Sequence, residues 1–153
     1  MVTPEDLAAL DLLLWLRTGQ EAGSRLGVNQ STVVRRATTA AEVCRVKPKR
    51  VASEWILTGD TTLLAMERQV HQYYRLLAGA PLRLECTTWD VQALALPLPP
   101  GWIGGVFDHL SMARPMQLLR ERVIDAWINC HHPDLTDLDD PELVVLPLTR
   151  FPA

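Results

Sequence analysis

From Ala22 to Val33 the chain reads Ala-Gly-Ser-Arg-Leu-Gly-Val-Asn-Gln-Ser-Thr-Val, a pattern that few folds accommodate. A small residue at Ala22 lets two helices approach closely. Leu26 and Val33 supply the apolar contact between them, and Gly27 takes the backbone angles of a sharp turn. Asn29 stands where an N-cap belongs, its side-chain oxygen placed to accept an orphan N–H of the next turn. Polar Gln30, Ser31 and Thr32 open the second helix, followed by Val34, Arg35 and Arg36. The pattern predicts two short helices hinged at Gly27. The N-terminal part of the second is of the kind that meets base edges in a DNA major groove. The alternative is an ordinary helix pair in an all-α domain.

At 153 residues the chain has the length of one domain or two small ones. A hydrophobic fraction of 48% supports a buried core and argues against disorder. No charge-free apolar run is long enough to span a bilayer, and no membrane partner is expected. Met1-Val-Thr-Pro-Glu-Asp lacks the basic start and apolar core of a secretory signal. Cys44, Cys86 and Cys130 are odd in number and widely spaced, which favours a reducing cytoplasmic setting over a disulfide framework. The net charge of −3 conceals an asymmetry. Residues 20–50 carry seven basic side chains against Glu21 and Glu42, whereas residues 51–153 carry seven basic and thirteen acidic ones. A basic module joined to an acidic one remains compatible with nucleic acid.

Before the hinge, Thr3-Pro4-Glu5-Asp6 is a helix start with cap, N1 proline and two acids favoured by the dipole. Leu7, Leu10 and Leu14 recur at helical spacing, widened by Leu13 and Leu16, and Thr18-Gly19 ends the helix. After the hinge, Ala37 and Ala40 give the second helix a thin inner face. Cys44 to Arg50 reads as irregular and basic, with Pro48 forbidding a continued helix, and Val51 to Leu57 as a returning strand. Lys47, Lys49 and Arg50 on such a basic hairpin suit phosphate contacts, or simply a solvated loop. From Asp60 a long helix runs to about Leu77. In it Leu63, Met66, Val70, Tyr73 and Leu77 fall at spacings of 3, 4, 3 and 4. That is a two-heptad seam, suited to pairing two chains or to packing on the same domain. Ala78-Gly79-Ala80-Pro81 breaks it.

Leu82 to Thr87 alternates apolar and polar residues as a strand does. Residues 94–101 are too rich in proline for regular helix. Pro115 to Arg122 reads as helix, Ile124 to Ile128 as a buried strand, Pro133 to Pro141 as an acidic loop and Leu143 to Leu146 as a last strand. Strands alternating with a helix predict a small parallel α/β unit. The chain is thus read as α+β, divided into residues 1–58, 59–78 and 82–153.

Other chemistry is weaker. Cys130, His131, His132, His109 and Asp134 draw a zinc site on paper, but adjacent histidines seldom face one metal and no spaced pair supports them. No metal or cofactor is expected. Enzymatic function would need His109, Cys130 and His131 to converge in space. Gly101-Trp-Ile-Gly-Gly lacks the spacing of a phosphate cradle. Trp15 and Trp127 lie in apolar runs and are assigned to core.

In the order of its parts the chain resembles the LysR-type transcriptional regulators. The resemblance rests on Ala22-Gly23, Leu26-Gly27-Val28, Asn29-Gln30 and Val33, then Leu57-Thr58, Leu82-Arg83-Leu84 and Leu118 to Ile128. It implies an N-terminal winged helix-turn-helix, a long linker helix and an effector unit like half of a periplasmic binding protein. It further implies binding to double-stranded operator DNA as a homodimer or tetramer. Gln30, Ser31, Val34 and Arg35 would then face base edges, with Thr32 among the DNA-binding residues, Asn29 would anchor a phosphate or cap the helix, and Arg36, Lys47, Lys49 and Arg50 would grip the backbone. Leu63, Met66, Val70, Tyr73 and Leu77 would form the pairing seam. Departures exist: a short Thr18–Glu21 loop, Val34 in place of a serine, Ala37 and Ala40 in place of larger residues, and no wing phenylalanine. The effector unit also ends after its first half. Thr87 and Thr88 match effector-contacting positions, yet a half cleft cannot close over a small molecule. The chain then responds to something else, does not respond, or borrows a second chain. The alternative function is an interaction module that pairs with a full-length regulator without touching DNA.

Overall fold

Leucine density explains the central element. Helix α1 (Pro4–Leu16) starts as expected, with Pro4 in its first turn and the Thr3 hydroxyl accepting the Asp6 N–H at 3.2 Å. From Leu7 to Leu16 every residue but Ala8 is buried. A helix apolar on all sides belongs in the middle of a molecule. One side of α1 packs against α2 (Gly19–Leu26) and α3 (Gln30–Val43). Leu64, Leu118, Val123 and Ile124 join it in the same core from the C-terminal two-thirds of the chain. The structure, a computed structural model, describes residues 2–88, 92, 95–108, 113–129, 140–146 and 148. No described helix is long and apolar enough to cross a membrane.

The junction after α1 corrects the expected stop at Thr18-Gly19. Arg17 takes the left-handed conformation (φ 68°), and Thr18 caps α2 by accepting the Glu21 N–H at 3.1 Å. Gly19 is therefore the buried first residue of α2.

The segment from Cys44 to Arg50, expected to be irregular, contains strand β1 (Lys47–Val51), paired antiparallel with β2 (Glu54–Thr58). A two-stranded ribbon is all edge, so Pro48 is tolerated within it. Ala52 and Ser53 close the ribbon at φ 47° and 71°. Two positive φ values define the hairpin turns that favour Asn-Gly. Without that signature the returning strand and a basic hairpin could be read, but β1 and the turn at Ala52-Ser53 could not.

Helix α4 (Thr62–Ala78) begins beside Asp60, whose carboxylate accepts from the Thr62 N–H (2.9 Å) and hydroxyl (2.6 Å). These bonds hold the Asp60 carboxyl below its ordinary pKa. Gly79 terminates α4 in the left-handed conformation. A parallel sheet follows, with β3 (Leu82–Cys86) between β4 (Trp102–Gly104) and β5 (Ala126–Ile128). Helix α5 (Ala113–Arg120) lies between β4 and β5 in sequence.

Strand β4 was missed within the glycine-rich 101–105 segment. Strand β5 is shorter and less buried than expected, the fully buried residues being Val123 and Ile124 just before it. Leu143 to Leu146 forms no strand. Leu143 is half-buried, and Val144, Val145 and Leu146 stand in solvent, with Val144 83% exposed. Apolar composition alone cannot make a strand without a partner edge. Trp15 is core, as expected, and Trp127 is half-buried. His109, Cys130, His131, His132, Asp134 and the acidic stretch up to residue 139 lie outside the described residues.

Two carboxylates are sealed inside this arrangement. Asp11 on α1 accepts from Arg68 Nε on α4 (2.8 Å) and Arg83 Nη1 on β3 (3.0 Å). Glu85 on β3 accepts from Trp15 Nε1 on α1 (2.6 Å) and from the Cys86 N–H (3.0 Å). Burial pushes the Glu85 carboxyl up to about 6, although both bonds favour its charged form.

The sign of its pH dependence follows. Below the unfolded value of 4.5 the group is neutral in both states and its contribution to stability is fully present. As pH rises through about 6 the folded chain must ionise a buried acid, and about 2 kcal/mol is lost. Glu85→Gln is expected to remove this component. Urea midpoints of variant and wild type, measured from about pH 4 to pH 8, should diverge upward through that window.

Candidate nucleic-acid interface

The hinge between α2 and α3 depends on close backbone approach. Gly27 ends α2 at φ 66° and returns its N–H to Gly23 O, which also accepts the Val28 N–H at 3.0 Å. A Cβ on Gly23 would stand 2.5 Å from Val28 O, so the turn closes only over glycine. Ala22 and Val33 are fully buried at the crossing, with Leu26 and Val28 packed against the same cluster. Asn29 caps α3: its side-chain oxygen accepts from the Thr32 N–H (2.8 Å) and the Ser31 hydroxyl (2.7 Å).

Val33, Ala37, Ala40 and Ala41 form the inner face of α3. At 100° per residue the opposite ridge runs through Ser31, Arg35, Thr38 and Glu42, all exposed. Gln30 and Val34 (47% exposed) flank this ridge on one side, and half-buried Thr32 and Arg36 on the other. Thr38 and Thr39 were not among the expected site residues, although extending the 3.6-residue period past Arg36 reaches Thr38. Their hydroxyls donate to Val34 O (2.9 Å) and Arg35 O (3.1 Å), leaving the methyl groups to shape the outer surface.

The ribbon separates its three basic candidates. Side chains alternate along a strand, so Lys47 and Lys49 share one face and Arg50 takes the other. Arg50 lies over its cross-strand partner Trp55, 5.7 Å from the ring centroid. The Trp55 indole donates in turn to Arg17 O at 2.8 Å. Lys47, Lys49 and Arg50 are nevertheless all exposed. Among the described residues, Arg35, Arg36, Lys47 and Lys49 have no ion-pair partner.

Helix α4 turns Leu64, Arg68 and Arg75 inward, so its Leu63, Met66, Val70, Tyr73 and Leu77 seam points away from the body. Met66 is 62% exposed, Val70 65% and Leu77 84%, and Tyr74 and Leu76 extend the patch. Thr87 and Thr88 sit at the C-terminal end of β3. The Thr87 N–H donates to Ile128 O (3.1 Å) and the Thr88 hydroxyl to Phe107 O (2.9 Å). Among the described residues no group of three potential ligands surrounds a metal position.

No family model and no curated protein matches the chain. Six chains of known structure do. OxyR of Corynebacterium glutamicum in its oxidised form is 15% identical over 81% of this chain and 45% of its own, with a TM-score of 0.40. ArgP from Mycobacterium tuberculosis is 19% identical over 86% and 49%, at 0.39. A probable transcriptional regulator from Pseudomonas aeruginosa is 15% identical over 80% and 47%, at 0.41. The chain spans about half the length of these solved structures. Such loose superpositions leave the functional reading to the α3 face and its surroundings.

Proposed function

We propose that this chain is a sequence-specific DNA-binding transcriptional regulator of LysR-like build, acting in the cytoplasm as a dimer or tetramer. In this reading residues 1–58 are a winged helix-turn-helix whose wing is the β1–β2 ribbon. Residues 59–78 are the pairing helix and 82–153 an effector-like α/β unit. The observation that carries it is the outer face of α3: largely polar, exposed, without ion-pair partners among the described residues, and held by a glycine-closed turn and an Asn29 cap. Gln30, Ser31, Val34 and Arg35 read base edges, Gln suiting adenine and Arg guanine. Asn29, Thr32 and Arg36 border the backbone, and Lys47, Lys49 and Arg50 grip phosphates from the ribbon. Thr87 and Thr88, at the C-terminal end of β3, are the candidate effector contacts.

Selection of bound sequences from random duplexes tests the reading; a two-fold symmetric site is expected. On that site Arg35→Ala should cost about 1–3 kcal/mol and leave random DNA unaffected. Lys49→Ala should weaken all duplexes alike and lower the salt slope by about one unit. Fluorescence anisotropy at two salt concentrations measures both, and equal losses on specific and random DNA for Arg35→Ala contradict base reading. The exposed α4 seam favours a second reading, in which the chain pairs with a longer regulator and stays off DNA. Absence of salt-dependent retention on duplex DNA would select it.

A further inference from the structure

Where the ribbon, α4 and α5 meet, a cavity of about 220 Å³ opens between β2, the start of α4 and the end of α5. Four arginines line it (Arg68, Arg114, Arg120 and Arg122), against one carboxylate, Glu121. Arg68 is 3% exposed. Its Nε and Nη1 are engaged by Asp11 and Glu121, but its Nη2 is buried with no hydrogen-bond partner among the described residues. A buried guanidinium nitrogen left unpaired is rare enough to require an explanation. Arg114 is fixed in place by donating Nη2 to Leu14 O (3.0 Å) and Trp55 O (2.9 Å). Its Nε has no hydrogen-bond partner among the described residues and stands 3.5 Å from Glu54.

Arg120 and Arg122 meet Asp140 (3.4 Å) and Glu142 (3.2 Å), pairs in which Arg120 and Glu142 are well exposed. Solvent-exposed pairs of that kind contribute little and are readily exchanged. A concave site lined by four arginines, two of them held by exchangeable carboxylates, has the chemistry of an oxyanion receptor.

We infer that the cavity between β2, α4 and α5 binds a small dianion, either a phosphate or a dicarboxylate, through Arg68, Arg114, Arg120 and Arg122. The bound anion displaces Asp140 and Glu142 from Arg120 and Arg122. Because β2 belongs to the ribbon and α4 carries the pairing seam, occupancy touches both. Any effect on DNA rests on the function proposed above, whereas the binding itself does not.

Isothermal titration of the full chain with inorganic phosphate, and separately with succinate, tests the inference in chloride buffers of matched ionic strength. One-to-one saturable binding of either anion, with a dissociation constant near or below about 1 mM, is expected, and the better ligand identifies the head group. Arg120→Ala with Arg122→Ala should weaken it at least about tenfold. Arg45→Ala, an exposed arginine that does not line the cavity, should leave it unchanged. Arg68→Met takes from Asp11 one of its two buried partners and endangers folding, so the Arg120 and Arg122 variants carry the test. Absence of saturable heat with both anions up to about 10 mM overturns the inference. So does affinity undiminished in the double variant. Neither result requires DNA, so a failure here leaves the proposed regulator function standing, and the reverse also holds.

Discussion

Asp11→Ala is expected to destabilise the protein by about 3–5 kcal/mol, enough to unfold much of the population at physiological temperature. The carboxylate sits in the middle of α1 with no solvent exposure and is the shared acceptor for Arg68 and Arg83, which are themselves almost fully buried. Burial lowers the Arg83 pKa, and Asp11 is the first group opposing that shift. Removing the acceptor takes the shared carboxylate from two buried guanidinium groups, leaving Arg68 only Glu121 and Arg83 only the Val123 carbonyl among the described residues, and this sets the size of the loss. Replacing all three residues together, by Asp11→Leu, Arg68→Met and Arg83→Met, should be much milder, because the desolvation cost of the charges disappears with their attraction. Urea denaturation of the single and triple variants decides the point. A triple variant as unstable as Asp11→Ala would show that the network stabilises the fold beyond neutralising its own charges.

Val70→Asp combined with Met66→Asp is expected to abolish self-association while leaving the fold intact. Both side chains are more than half exposed on the outer face of α4, so a charge there meets water in the monomer. In a paired seam the same charges would be buried against their symmetry mates, at a cost the interface cannot absorb. If two α3 helices engage one operator, losing the pairing removes the intramolecular second contact. Affinity for a symmetric site should then fall about 100-fold or more, with little change on a half-site. Sedimentation velocity reads the assembly and anisotropy on whole and half operators reads the binding. Unchanged sedimentation would move the pairing surface elsewhere and leave the apolar seam without its proposed partner.

Local signals carried the N-terminal half well. The Thr3 and Asn29 caps, the Gly27 and Gly79 helix ends and the Ala22–Val33 crossing each depend on a few neighbouring residues, and each stands where it was expected. The candidate α3 face was legible for the same reason, since a 3.6-residue period sorts Val33 and Ala37 inward and Ser31 and Arg35 outward. The C-terminal half resisted. Strand β4 has three residues, too few to display a period, and it exists because β3 offers an edge. Leu143 to Leu146 has the composition of a strand but meets no such edge in the described residues. Arg50 joined Lys47 and Lys49 as a basic cluster in one dimension, whereas ribbon pleating sends it to Trp55.

Sequence alone determined the Thr3 and Asn29 caps, the Gly27 and Gly79 helix ends, the hinge and the polar face of α3, because capping, turn chemistry and amphipathic periodicity act over about four residues. Only the tertiary structure decided that α1 is buried from every side, that Asp11 joins α4 to β3, and that four arginines surround one cavity. Among those outcomes the Asp11–Arg83 pair alone joins side chains 72 positions apart. The free energy of a buried charge depends on which partners converge around it, and no local pattern encodes that convergence.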